Sequence, residues 1–275
     1  MSQPAAEETV RRATAAFNAG QRDEARKVCE QGLRRAPGDP MLSHLLAAVL
    51  FSQGEIAAAR SLVETSLAKR PGNAAAQLLA ARIARAARDF DTALAHLDRA
   101  IAMAPLPEAF VEKARTLDQA SVDQAILRPV ARNAWQAILK VAPQNMEAAA
   151  RLGRLAWEDG DHALAASLLE RAVAGDAPAS AWFDLGLARQ DLRDHGAAAA
   201  AYRKALAKKP DHAEAALNLG TVLQEKGDLD GAMRAYGDAY RLRPSMFGSI
   251  AMALTSAPHG RLWLDEGALR RSLGG

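Results

Sequence analysis

A single cysteine, Cys29, stands among 275 residues, so the chain can form no internal disulfide. Valine, isoleucine and threonine are sparse and never form a long alternating run, which argues against strands. No stretch approaches the 18 or so apolar residues of a membrane span. The opening MSQPAAEETVRRAT lacks the apolar core of a signal peptide. A soluble, cytoplasmic protein with no membrane insertion is the expectation. Aromatic residues make up only 5% and fall at regular intervals, which leaves no stacking platform for nucleic acid. Charge of one sign is also lacking: 35 basic against 32 acidic residues give a formal net charge of +3. The Arg-Arg pairs at 11–12, 34–35 and 270–271 are scattered and read as solvated helix faces.

Motifs of catalysis are missing too. There is no P-loop, no Gly-x-Gly-x-x-Gly, no Gly-x-Ser-x-Gly and no Cys-x-x-Cys. His96 and Asp98 have the spacing of one arm of an iron site. In a helix, however, residues two apart point about 200° apart, and no third ligand is suggested. His162 and His195 stand beside aspartates and read as surface or capping residues. Cys29 reads as a buried, inert thiol. No catalytic residue, cofactor or metal site is assigned, and an enzyme is not expected.

What is present is alanine, the best helix former, and a ruler of prolines. Pro37, Pro71, Pro105, Pro143, Pro178, Pro210 and Pro244 follow one another at steps of 34, 34, 38, 35, 32 and 34. Each marks a helix stop, because proline cannot continue a helix. Gly20, Gly54, Gly160 and Gly227 fall midway between stops, where a short left-handed turn can join two helices. Asp23, Glu55, Asp89, Asp161, Asp194 and Asp228 lie beside these turns. There they can cap the next helix or occupy its first turn.

Four columns follow each turn. The first is alanine: Ala25, Ala59, Ala93, Ala131, Ala165, Ala198 and Ala232. Four residues on come larger groups: Cys29, Val63, Leu97, Trp135, Leu169, Tyr202 and Tyr236. Small residues mostly follow three later, then large ones again, so all four columns share one helical face. In the preceding helix, Ala13, Ala47, Ala81, Gly153, Gly186 and Gly220 hold a matching small position. Arg115 departs from that pattern. Small against large lets two helices close in, and Trp182 fills the gap between neighbouring pairs.

The period, the Trp182–Leu185–Gly186 spacing, the alanine-to-aromatic step and the closing proline resemble the tetratricopeptide repeat. The resemblance covers Ala6 to Met246. It implies an all-α fold: a right-handed α-solenoid of about seven helix-turn-helix repeats with a C-terminal helical cap. Residues 1–5 are expected to be disordered. The units are placed at 6–39, 40–73, 74–107, 108–145, 146–178, 179–212 and 213–246, and a capping tail at 247–275. The fourth unit carries four extra residues, and a longer turn is expected around Ala120 to Leu127, with Pro129 near the start of its second helix. In the tail, Phe247, Ile250 and Leu254 form one helical stripe, and a last short helix after Asp265 places Leu269 and Leu273 on one side. Leu262, Trp263 and Leu264 are conspicuous there; they offer a docking element for a partner or for a second copy, hence a homodimer.

The resemblance further implies a concave groove lined by first helices, through unit positions 2, 5, 6, 9, 12 and 13. Those positions supply Arg11, Phe17, Met41, Leu45, Phe51, Leu78, Arg82 and Arg85 early. Lys113, Arg151, Arg154 and Trp157 follow in the middle. Late units turn acidic or amide, with Glu158, Asp184, Asp191, Glu214, Asn218, Gln224 and Glu225. Arg82 with Arg85, and Arg151 with Arg154, are three apart and share a face. They suit the carboxylates of a protein or peptide partner, or else pair with neighbouring acids of the chain itself. Only Asn218 matches the family's carboxylate clamp, since Asp184 stands where a cationic or amide partner belongs. The expected role is a non-enzymatic scaffold that binds a peptide with acidic and apolar groups. The alternatives are an arm or helper subunit of a separately encoded enzyme, or self-association through the tail.

Overall fold

The computed structural model describes residues 3–256 and 266–274. The helices run in chain order as α1 (Gln3–Asn18), α2 (Arg22–Arg35), α3 (Pro40–Ser52), α4 (Ile56–Lys69), α5 (Ala74–Ala86) and α6 (Phe90–Met103). Then come α7 (Pro107–Asp123), α8 (Arg128–Val141), α9 (Met146–Glu158), α10 (His162–Ala172), α11 (Ala179–Asp191) and α12 (His195–Lys208). The series closes with α13 (Ala213–Glu225), α14 (Leu229–Leu242), α15 (Phe247–Ser256) and α16 (Glu266–Gly274). Short 3-10 turns occupy Ala125–Leu127 and Pro244–Met246. No strand occurs among the described residues.

Local chemistry sets the ends of these helices. Asp39, Asn73, Asp89, Asn145, Asp161, Asp194 and Asp228 accept a hydrogen bond from a backbone N–H of the helix each one caps. Gly20, Gly54, Gly160 and Gly227 turn the chain with φ of 76°, 83°, 84° and 82°. Arg88 and Arg193 hold the same turn at φ of 60° and 58°, against the steric preference of any residue with a Cβ. Most prolines of the ruler sit two residues past a helix end. Pro178 does not: α10 stops at Ala172, and Pro178 instead precedes α11 at its N-cap.

Two readings from the sequence need correction here. Residues 3–5, expected to be disordered, belong to α1. The longer turn expected around Ala120 to Leu127 is mostly helix, because α7 runs on for 17 residues where the other first helices from α3 onward have 13. The extra residues extend a helix instead of a loop, which leaves fewer backbone groups to be satisfied by water.

The chain divides into two compact units, residues 1–134 and 135–275. In the first, α1 packs on α2, α3 on α4 and α5 on α6, and each pair packs on the next. Consecutive first helices also touch: α1 with α3, α3 with α5, and α5 with α7. Cys29, Ala47, Val63 and Ile83 fill the core between them. In the second unit the pairs α9–α10, α11–α12 and α13–α14 stack in the same way, and α9 touches α11. Tyr202 and Tyr236 are fully buried there. The end of this unit is covered: Ile250 and Leu254 of α15, and Leu269 and Leu273 of α16, join the same core. Arg270 spans the cap, with its guanidinium 3.8 Å from the Phe247 ring and bonded to the Tyr240 hydroxyl at 3.3 Å.

Candidate functional site

Within each unit, the touching first helices present charged and aromatic side chains in a fixed register. Positions are numbered from the first residue of each first helix. In the first unit, Arg82 of α5, at position 9, donates to Glu112 of α7, at position 6, over 3.2 Å. In the second, Arg154 of α9, at position 9, donates to Asp184 of α11, at position 6, over 2.8 Å. Position 12 meets position 13 of the next first helix in both units. Arg85 bonds Gln119 at 3.3 Å, and the Trp157 indole N–H donates to Asp191 at 2.6 Å.

Glu112 is the hub of the first unit. Its side chain is only 5% exposed and meets Arg82, Arg85 and Arg115 at 3.2, 3.1 and 2.8 Å. Such a carboxylate is tolerable in the interior only because it is paired. In the second unit, burial pushes the Asp184 carboxyl above its ordinary value, and the nearby Arg154 offsets this only in part. Burial works against the Arg154 charge as well, yet Glu158 and Asp184 together hold its pKa up. The same guanidinium lies 4.7 Å from the Trp157 ring.

A sequence model of the tetratricopeptide repeat matches residues 10–74, 128–181 and 183–247, more than half of the chain. The chain belongs to the tetratricopeptide repeat family. A second model of the same description matches residues 50–110. The chain is 32% identical over 83 residues to Tetratricopeptide repeat protein 8 of Caenorhabditis elegans, covering 30% of this chain and 16% of that protein. It thus spans a small part of that relative's length. Among solved structures it is similar to the Cut9–Hcn1 hetero-tetramer of the APC/C, with a TM-score of 0.65, 15% identity, and 95% of this chain against 48% of that one. It is similar also to PilF of Pseudomonas aeruginosa, with a TM-score of 0.65, 16% identity, and 75% of this chain against 93% of that one. At these identities the likeness is one of fold. Tetratricopeptide repeats are typically scaffolds for protein–protein interaction, built as quasi-one-dimensional stacks.

Against that register, the residues expected to line a groove in this tetratricopeptide repeat protein sort into several kinds. Arg82, Arg85 and Arg154 are committed to carboxylates of the chain itself. Arg11 pairs with Glu8 on its own helix, and Arg151 is exposed on α9 and acts electrostatically on Asp184. Leu45 and Leu78, expected to line the groove, are buried core residues. Phe17 and Phe51 are half-buried against that core. Met41 is 40% exposed, and Trp157 is half-buried. Asn218 is half-buried and donates weakly to the Tyr202 hydroxyl at 3.5 Å, while that hydroxyl donates to Gln190 at 2.7 Å. Gln224 is fully buried and ties α13 to the Ala253 carbonyl at 3.1 Å, so it belongs to the cap contact and not to an acidic groove. Leu262, Trp263 and Leu264 lie outside the described residues.

The fourth repeat corrects two further assignments. Ala114, not Arg115, is the buried small residue. Lys113 turns to Asp98 on α6 at 2.5 Å, and Glu112 takes the sixth position of the first helix expected for it. The cause is a shift of one residue, because α7 begins at Pro107 and not at 108. A signal was available. Proline favours the first helical turn, and Pro40 opens α3 in the same way. His96 meets Gln77 at 2.6 Å, and Asp98 is spent on Lys113. No cluster of metal-ligating side chains occurs among the described residues, and none of their helices is long and apolar enough to cross a membrane.

Proposed function

We propose that this chain is a scaffold that holds a protein partner against the touching first helices within its units. The observation that carries the reading is the in-chain neutralisation of those helices. Arg82, Arg85 and Arg154 are held by Glu112, Asp184 and Glu158, which ties α5 to α7 and α9 to α11. Met41, Phe51 and Trp157 then supply contact area, and Arg151 and Asn218 supply polar recognition. Partners with apolar anchors and acidic groups fit this surface, since a well-packed aromatic or thioether contact carries most of the affinity of such interfaces.

Site-specific photocrosslinking tests the reading. A benzoylphenylalanine introduced at Met41 or Trp157 is expected to capture a discrete protein partner in cells, whereas the same group at exposed Arg203 on α12 captures none. Equal capture at all three positions would contradict a binding face made of first helices.

A further inference from the structure

A cavity of about 660 Å³ is bounded by Met41 and His44 of α3, Arg70 at the end of α4, and Gly72, Asn73 and Ala75 leading into α5. Its size falls within the range of about 300–1,000 Å³ typical of ligand pockets. It differs in its electrostatics from the surroundings of the other first-helix arginines. Arg82, Arg85 and Arg154 are each neutralised within the chain. Arg70 is exposed and has no carboxylate partner among the described residues. None of the lining residues is acidic.

The other walls are similarly uncommitted. The Asn73 side-chain oxygen caps α5 through the Ala76 N–H at 3.3 Å, which leaves its amide nitrogen as a spare donor. The Nδ1 of His44 is buried without a hydrogen-bond partner. Met41 contributes an adaptable thioether at 40% exposure. A fork of guanidinium donors, a second amide donor and an apolar floor suit a carboxylate that has an apolar neighbour.

We infer that this cavity binds an aspartate or glutamate side chain, adjacent to an apolar residue, in the protein partner held by the first helices. The inference rests on the scaffold reading and names the group that the neighbouring first helices α3 and α5 recognise. Arg70 pairs with the carboxylate, Asn73 donates to it, and Met41 covers the apolar neighbour.

The test uses the full chain and an array of end-capped peptides. Each peptide carries one aspartate or glutamate beside a leucine, with matched asparagine, glutamine and phosphoserine versions. Fluorescence anisotropy on the bound peptides is expected to show at least tenfold tighter binding of the acidic peptides than of their amide counterparts. Arg70→Glu is expected to abolish that difference without changing the circular dichroism melt, and Arg34→Glu on α2 to leave it intact. Peptides that bind without acid preference, or a preference that survives Arg70→Glu, overturn the cavity assignment and leave the scaffold reading standing. A phosphoserine preference beyond that for aspartate overturns the choice of carboxylate. Absence of any peptide binding overturns the cavity assignment, and crosslinking at Met41 and Trp157 then judges the scaffold reading on its own.

Discussion

A Cβ placed on Gly186 would lie 2.4 Å from Cε1 of Tyr202, sixteen residues further along the chain. Gly220 and Tyr236 stand in the same relation, at 2.5 Å. Where the first helix has alanine instead, as at Ala13, Ala47 and Ala81, the residue sixteen further on is the smaller Cys29, Val63 or Leu97. The volume of each pair is thus shared between its two helices. Gly186→Ala is expected to destabilise the protein by about 1–3 kcal/mol, the usual cost of overpacking. Adding Tyr202→Leu should recover part of that loss, because the two changes share one contact. Urea denaturation of the two single variants and the double variant checks the coupling; strictly additive losses would contradict it.

Arg193 holds a left-handed turn at φ of 58°, the place that Gly160 and Gly227 fill in neighbouring repeats. The strain on a side chain there is about 1–2 kcal/mol, and the extra unfolded-state freedom of glycine returns about 0.5–1 kcal/mol. Arg193→Gly is therefore expected to stabilise the protein by about 0.5–1 kcal/mol. Arg88→Gly should gain less, since Arg88 also bonds Asp123 at 2.6 Å and lies over the Phe90 ring. Thermal melts of the two variants decide the order.

Glu112 balances three arginines from a buried position. Glu112→Gln removes the carboxylate that the three cations share, although Glu108 still lies 3.8 Å from Arg82, and is expected to cost about 2 kcal/mol, below the usual figure for a broken buried pair because the arginines keep partial access to water. The same change loosens the hold on Arg82 and Arg85, so binding of acidic peptides should strengthen. Stability and peptide affinity measured on one preparation test both halves.

Burial pushes the Cys29 thiol up to about 12, with the Glu30 charge adding to it, and pushes the Tyr236 hydroxyl up to about 12. Both groups are neutral in the fold and ionise more easily once unfolded. Their contribution to stability is complete below pH 9 and is lost as pH rises from about 9 towards 12. Urea midpoints should therefore fall steadily over that range, and Cys29→Val should flatten part of the fall. At pH 8, Cys29 should resist a thiol reagent until the chain is unfolded.

The fold was legible because proline, glycine and capping aspartate recur on a fixed ruler, and because small and large residues alternate in columns that only paired helices can satisfy. The four residues added in the fourth repeat were harder to place. They could lengthen a loop or a helix, and only packing chooses between the two. The register of α7 had a separate cause: the link from Pro105 to α7 is one residue shorter than the links after Pro37 and Pro71, which hid Glu112 behind Lys113. The ion pairs escaped for a different reason. Arg154 and Asp184 lie thirty residues apart, and their meeting depends on how two first helices touch. The step from position 9 to position 6 of the next repeat was nonetheless written in the sequence, and it can be sought in other chains of this kind.

The most direct test of the account is hydrogen exchange on the chain, free and bound to whichever protein is captured by crosslinking at Met41 or Trp157. Binding is expected to slow exchange in α3, α5, α9 and α11 while leaving α4, α6, α10 and α12 unchanged. Protection confined to the second helices of the pairs, or to the tail beyond Ser256, would contradict the assignment of the first helices as the gripping face.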